Sequence, residues 1–230
     1  MTSISKKIRR IYQTNGFNGL IEAACFKFLS KIFTTPTRKI ALFNGVAVRG
    51  VPFFAKQDIF PSHENELISS IRKYVTSGQT VILIGGGSGA STVVAAHQVG
   101  TQGKVIAYEA NKNSFLRCQD TIKINHVENI VNVYHSIIEK PVYLKGEIGN
   151  PQKLLAKELS YCDVLVMDCE GAETPILENL KIRPRLIIVE THPLLGSPKE
   201  KIESLLISLN YKIIETDSTR DFLDVLVATK

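Results

Sequence analysis

From Thr80 to the end, the chain switches between two hydrophobic rhythms. Unbroken apolar runs, such as VILI at 81–84 and LIIV at 186–189, alternate with stretches whose apolar residues recur every three or four positions. The runs predict strands at 80–85, 104–109, 130–135, 163–168, 185–191, 211–216 and 222–228. The helical spacing predicts helices at 90–99, 112–125, 152–160, 173–180 and 198–209. Strands that are apolar throughout, each followed by a crossover, read as a parallel sheet covered on both faces. The last two, YKIIETD and FLDVLVATK, have only a few polar residues between them. That is too short for a crossover, so they form an antiparallel pair.

Upstream, the stretch from Lys39 to Lys56 alternates around Asn44-Gly45, a dipeptide that suits a type I′ turn, and predicts a short hairpin. Ser62 is placed to cap a helix whose face carries Leu67, Ile68, Ile71 and Val75. Earlier still, Ile4, Ile8, Ile11, Phe17, Leu20, Ile21, Ala24, Phe28, Leu29 and Ile32 fall on one face at helical spacing, interrupted by Gly16 and Gly19. This predicts an amphipathic arm. It has neither the compact apolar stretch of a signal peptide nor a long uncharged run.

Two readings suit the arm: docking on its own domain, or lying on an anionic membrane surface. Charge bears on the choice. Residues 1–40 hold eight basic residues against Glu22 alone, a net of +7, so the remainder sums to −1 within a total of +6. The basicity belongs to the arm, and a nucleic-acid-binding core is not indicated. The expected division is therefore an arm and hairpin at 1–60 and one α/β domain at 61–230. Cys25, Cys118, Cys162 and Cys169 show no paired spacing, which indicates reduced thiols in a cytoplasmic protein and no zinc ribbon. Cys169 reads as a small buried hydrophobe. The oligomeric state is left open.

The candidate chemistry begins where VILIGGGSGAST passes from apolar strand to glycine. Gly85, Gly86, Gly87 and Gly89 occupy the turn into the next helix, at the sheet edge where α/β proteins bind ligands. Twenty residues past Gly89, the second strand, VIAYEA, brings Glu109 to the same edge, where a carboxylate can accept both hydroxyls of a ribose. Loop and acid together point to a cofactor containing a nucleoside. Gly85-x-Gly87-x-x-Ala90 also fits an NAD fingerprint. The late start of the loop, the closing antiparallel pair and the carboxylates after the fourth strand argue against NAD.

VILIGGGSGAST, VIAYEANKNS, CDVLVMDCEGAE and RLIIVETHP resemble the successive motifs of class I S-adenosylmethionine-dependent methyltransferases. The closest resemblance is to the FkbM family, through Asp168-Cys169-Glu170-Gly171-Ala172-Glu173, and it spans roughly Glu64 to Lys230. It implies a Rossmann-like α/β fold with seven strands, mostly parallel, ending in an antiparallel hairpin. It also implies S-adenosylmethionine as cofactor. Gly85, Gly87, Ser88 and Gly89 would cradle its amino-acid part, Glu109 and Ala110 its ribose, and His135 and Ser136 its adenine, with Asp168 touching it as well. One departure stands out: Leu83 occupies a position where the family usually has Asp.

Methyl transfer to a hydroxyl needs alignment and a base. Alternation along extended strands would set Asp168 and Glu170 on one side, and likewise Glu190 and His192. Glu170, His192 and Asp168 are the candidate catalytic residues. Glu170 or His192 is the expected base, while Glu173 is expected to serve mainly the N-terminus of its helix. The same acids could bind Mg²⁺ or Ca²⁺, although no metal is assigned. The resulting expectation is an O-methyltransferase acting on a hydroxyl of a glycan, glycolipid or related small molecule. A non-catalytic cofactor-binding homologue and an NAD-linked oxidoreductase are the alternatives.

Overall fold

The computed structural model describes residues 38–53, 55–139, 147–218 and 223–230. The amphipathic arm expected from the stripe at Ile4 to Ile32 lies outside them. The described chain opens with an antiparallel hairpin, β1 (Arg38–Phe43) and β2 (Val46–Pro52). Phe43 pairs with Val46 around Asn44 and Gly45, whose φ values of 49° and 85° are those the dipeptide was expected to supply. A two-residue strand, β3 (Ile59–Phe60), adds in parallel to β1. It is too short for periodicity to reveal.

Helix α1 (Asn65–Tyr74) follows, with Leu67, Ile68 and Ile71 fully buried. Its cap is Glu64, in the left-handed conformation at φ 48°, and not Ser62. The turn at 61–64 carries the chain two residues further before the helix begins.

Next come β4 (Thr80–Ile84), α2 (Ala90–Val99), β5 (Lys104–Glu109), α3 (Lys112–Ile124), β6 (Val131–Ile138) and β7 (Gln152–Leu154). The second half is β8 (Val164–Met167), α4 (Glu173–Asn179), β9 (Leu186–Glu190), α5 (Lys199–Ser208), β10 (Lys212–Ser218) and β11 (Asp224–Thr229). The sheet order is β10-β11-β9-β8-β4-β5-β6-β7. All pairings from β9 to β7 are parallel, whereas β11 runs antiparallel to both β9 and β10.

The sheet has eight strands where seven were expected. The helix expected at 152–160 is replaced by β7 and a 3₁₀ turn at Ala156–Glu158. Leu154, Ala156 and Leu159 have helical spacing, but the free edge of β6 offers hydrogen bonds to Gln152–Leu154, and the apolar residues still reach the core from the strand and turn. Tertiary pairing here overrides local periodicity.

Alternation along the central strands divides the interior. Val81, Leu83, Val105, Ala107, Val164, Val166 and Ile188 face α1, α2 and α3, together with Val46 and Val48 of the hairpin. Ile82, Ile84, Leu165, Met167, Ile187 and Val189 face α4 and α5. Both faces are covered, which explains why the strands read as continuous apolar runs. Among the described residues, no helix is long and apolar enough to cross a membrane.

Leu83, at the position where the family usually has Asp, is buried in the first of these layers. Leu83→Asp would place a carboxylate among aliphatic side chains, so it is expected to lower unfolding free energy by about 3–5 kcal/mol. Urea denaturation of the two proteins checks this.

Candidate active site

The order reverses at β4: the chain runs outward through β5 and β6 on one side, then returns to add β8 and β9 on the other. Beyond the carboxyl ends of these strands lies a cavity of about 390 Å³. Its lining includes Gly85, Gly87, Glu109, Ala110, Ser136 and Asp168, so four of the strands contribute.

The glycines serve different purposes. A Cβ on Gly85, at φ 96°, would lie 1.7 Å from the carbonyl oxygen of Asp168. One on Gly89, at φ 90°, would press on Thr121 and Cys118 of α3. These two are demanded by the protein's own packing. At Gly87, φ 50°, the nearest atom to such a Cβ is 4.0 Å away, so its missing side chain leaves room in the cavity that Gly87 lines. The Gly87 N–H donates to Glu109 Oε2 at 2.7 Å, and Asn111 N–H donates to Oε1 at 2.7 Å. Loop and acid thus hold each other. Burial raises the Glu109 pKa, opposed by these backbone bonds.

Ser136 is 3% exposed, lines the cavity, and its hydroxyl has no partner. An unmade bond at a buried hydroxyl carries a desolvation cost, and the Ser70 and Ser88 hydroxyls, which do not line the cavity, are buried and unpartnered as well. The neighbour of Ser136, His135, does not line the cavity. The ring has Nε2 3.1 Å from the Ala110 carbonyl and 2.9 Å from that of Ile148, and it stacks on Phe115, so it braces the loop from behind. Ser88 is likewise absent from the lining; its carbonyl accepts from Thr121. Ile137, Ile138 and Glu64 do line the cavity and were not foreseen. Glu64 carries one legible signal, its place at the start of a helix directed at the sheet edge. The two isoleucines read only as strand.

Beyond β8 the chain does not stay extended. Glu170 adopts φ 52° and Gly171 φ 95°, so Glu170 is exposed and does not share the orientation of Asp168. The turn is made by Glu173, the first residue of α4 and fully buried. Its Oε1 accepts the Cys169 N–H at 2.9 Å and its Oε2 the Gly171 N–H at 3.0 Å. Oε1 also lies 2.9 Å from His192 Nδ1. That bond points His192 Nε2 at Asp168 Oδ1, 3.5 Å away.

Glu190 completes the group: Asp168, Glu190 and His192 each offer an atom within 4.8 Å of the others. Among the described residues, this is the set that can hold a divalent ion through two carboxylates and an imidazole. Cys169 lines the cavity and is half-buried, and burial pushes its thiol pKa up.

The charges are interdependent. Burial would lower the His192 pKa, but the bond to Glu173 and the fields of Glu173, Asp168 and Glu190 outweigh it and push the value up to about 9. Glu173 is held below the ordinary carboxylate range, because its bonds to His192 and to backbone N–H groups outweigh its burial. Burial raises Asp168, and Glu190 raises it further. Burial also lifts Glu190, to about 7, despite His192 nearby. These fields favour the protonated form of the imidazole, where the sequence had suggested His192 as one of two candidate bases. Glu170, the other expected base, lines the cavity apart from this cluster.

Strand order, closing hairpin and the cavity at the point of reversal define a Rossmann-like class I methyltransferase fold. The fold is shared with solved structures of low sequence identity. One is a ribosomal protein L11 methylase from Lactobacillus delbrueckii subsp. bulgaricus, 15% identical, with a TM-score of 0.54 over 79% of this chain and 89% of that one. Others are a putative RNA methyltransferase from Pyrococcus horikoshii, at 14% and 0.52 over 74% and 82%, and a precorrin-6y C5,15-methyltransferase from Geobacter metallireducens, at 15% and 0.50 over 77% and 91%. Residues 61–136 match the family model described as protein-L-isoaspartate(D-aspartate) O-methyltransferase. No curated protein matches the chain.

Removing the Glu173 carboxylate leaves two N–H groups and the Nδ1 of His192 without their partner. Glu173→Ala is expected to cost about 3–5 kcal/mol of stability. The folded His192 pKa is raised, so its share is complete below its ordinary 6.5 and is lost as pH rises through about 9. The folded Glu173 pKa is lowered, so its share is complete above its ordinary 4.5 and is lost as pH falls through the folded value. Thermal melts from pH 4 to 10 should therefore show the largest gap between wild type and variant at about pH 4.5–6.5.

Proposed function

We propose that this protein is an S-adenosylmethionine-dependent methyltransferase of FkbM type, which methylates a hydroxyl on a glycan, glycolipid or related small molecule. The observation that carries the cofactor assignment is the cavity beyond the strand ends, which Gly87, Glu109 and Ser136 line together, with Glu109 bonded to the Gly87 N–H. These residues fit the group. Glu109 retains lone pairs to accept ribose hydroxyls, Ser136 would bond the adenine, and Gly87 leaves room for the amino-acid part. When bound, the cofactor supplies a methyl group already activated on a sulfonium. The family model at 61–136, over about a third of the chain, and the shared fold support the reading. FkbM membership rests on the motif from Asp168 to Glu173 and on the convergence of its two outer acids with His192.

The protein's remaining task is to place the acceptor and take its proton. Asp168 lines the cavity, and its raised pKa makes it a stronger base than an exposed aspartate. It would take the proton of the acceptor hydroxyl, and His192, held protonated by Glu173, would stabilise the carboxylate beforehand. Glu64 and Glu170 line the same cavity and repel phosphates, which favours a neutral acceptor over RNA.

Calorimetry tests the cofactor assignment. S-adenosylmethionine and S-adenosylhomocysteine are expected to bind wild type and NAD not to bind, with Glu109→Ala weakening the first two by about tenfold to a hundredfold. Binding of NAD alone would overturn the reading.

Turnover tests the base. Asp168→Asn is expected to lose about 10²–10⁴ in rate while still binding cofactor. Glu190 raises the pKa of Asp168, so Glu190→Gln should lower it and move the acid limb of the pH–rate profile to lower pH. A limb that stays in place assigns the proton to another group.

A further inference from the structure

Among the described residues, the carboxylates that line the cavity are Glu64, Glu109, Asp168 and Glu170. Three of them have their positions explained. Glu109 holds the glycine loop, Asp168 faces His192, and Glu170 is exposed on the turn that leaves β8. Glu64 is different. It immediately precedes α1, where side-chain oxygens commonly accept a first-turn N–H, yet its side chain makes no such bond. Its Oε1 lies 3.1 Å from His63 Nε2, and among the described residues its Oε2 has no hydrogen-bond partner. The side chain is only 23% exposed, so a largely buried carboxylate keeps acceptor capacity open at the cavity wall. That is costly unless a cation or donor meets it.

Its place along the sheet edge follows from its neighbours. The charge of Glu64 helps to raise the pKa values of Cys118, Asp168 and Glu190. Cys118 lies against the glycine loop, its sulfur 3.5 Å from where a Cβ on Gly86 would stand. Helix α1 itself packs against α2 and β9. Glu64 therefore sits by the loop and toward β8 and β9, whereas Ser136 marks the other end of the cavity, on β6.

We propose that Glu64 binds the α-ammonium of S-adenosylmethionine. This deepens the cofactor reading above and rests on it. With the ribose at Glu109 and the adenine at Ser136, the amino-acid part falls at the loop, where Gly87 leaves room. That part carries two opposite charges. The loop and the first turn of α2 present N–H groups, which suit its carboxylate and disfavour its ammonium. The ammonium calls for a negative acceptor at the same end, and Glu64 is the carboxylate still open there.

Calorimetry on the full chain tests this with S-adenosylhomocysteine and the analogue in which hydrogen replaces its amino group. Wild type is expected to prefer the first by about tenfold to a hundredfold, as a charge-assisted bond would give. In Glu64→Gln that preference should fall by about tenfold, through weaker binding of S-adenosylhomocysteine alone. Unchanged affinity for the analogue also shows that the variant is folded. Glu66→Gln removes a nearby charge that does not line the cavity, and there the preference should remain. A preference that survives Glu64→Gln would give the ammonium to another group and overturn the proposal. Equal binding of both ligands by wild type, equal weakening of both in Glu64→Gln, or the same loss in Glu66→Gln would overturn it too. Failure of wild type to bind either ligand would instead overturn the cofactor reading, and this proposal with it.

Discussion

The carboxylate of Glu173 is the contact on which the site depends. It is fully buried and holds three partners: the N–H groups of Cys169 and Gly171 and the ring of His192. The first two bonds close the turn after β8, which lets Asp168 leave the strand while the chain swings away through Glu170. The third joins the end of β9 to the end of β8. Without it, an imidazole and two carboxylates would still sit near the sheet edge, but nothing would orient the ring or direct Nε2. A charge this deeply buried is tolerable only because its partners are all in place.

That arrangement also orders the protonation states. Two carboxylates and an imidazole beside a buried glutamate cannot all ionise independently, so the proton settles where it relieves most repulsion. It settles on His192, leaving Asp168 and Glu190 to compete for the next one. Base strength at this edge is therefore a property of the cluster. An isolated histidine would titrate near neutrality, whereas Glu173, Asp168 and Glu190 push this one up to about 9.

The glycine loop divides its work in a similar way. Gly85 and Gly89 exist because the Asp168 carbonyl and helix α3 come too close for any side chain, and Gly87 because the cavity needs the room. The loop is tied to β5 through Glu109, so the carboxylate proposed to accept the ribose hydroxyls also fixes the shape of the loop. Leu83 fits the same picture. It belongs to the apolar layer beneath the loop, and the backbone of Asp168 closes over Gly85 above it.

Much of this was legible along the chain. Continuous apolar strands, helical spacing between them and a closing pair too close for a crossover determine a parallel sheet with an antiparallel end, because burial on two faces leaves no other pattern. Glycines at one strand end and an acid at the next mark the ligand edge for the same reason, since backbone direction is set by strand order. What periodicity could not convey is how the chain behaves once it leaves a strand. Alternation placed Glu170 beside Asp168, but a carboxylate four residues from Cys169 turned the backbone instead. The segment at 152–160 had helical spacing, yet the open edge of β6 drew it into the sheet. His135 sat at the right strand end, and its ring went to two carbonyls behind the cavity. The sequence by itself determined which strands form and where their ends gather, because those follow from local pattern and burial. Only the tertiary structure decided which side chains meet there, because hydrogen bonds between residues distant in the chain bend each turn after the strands are in place.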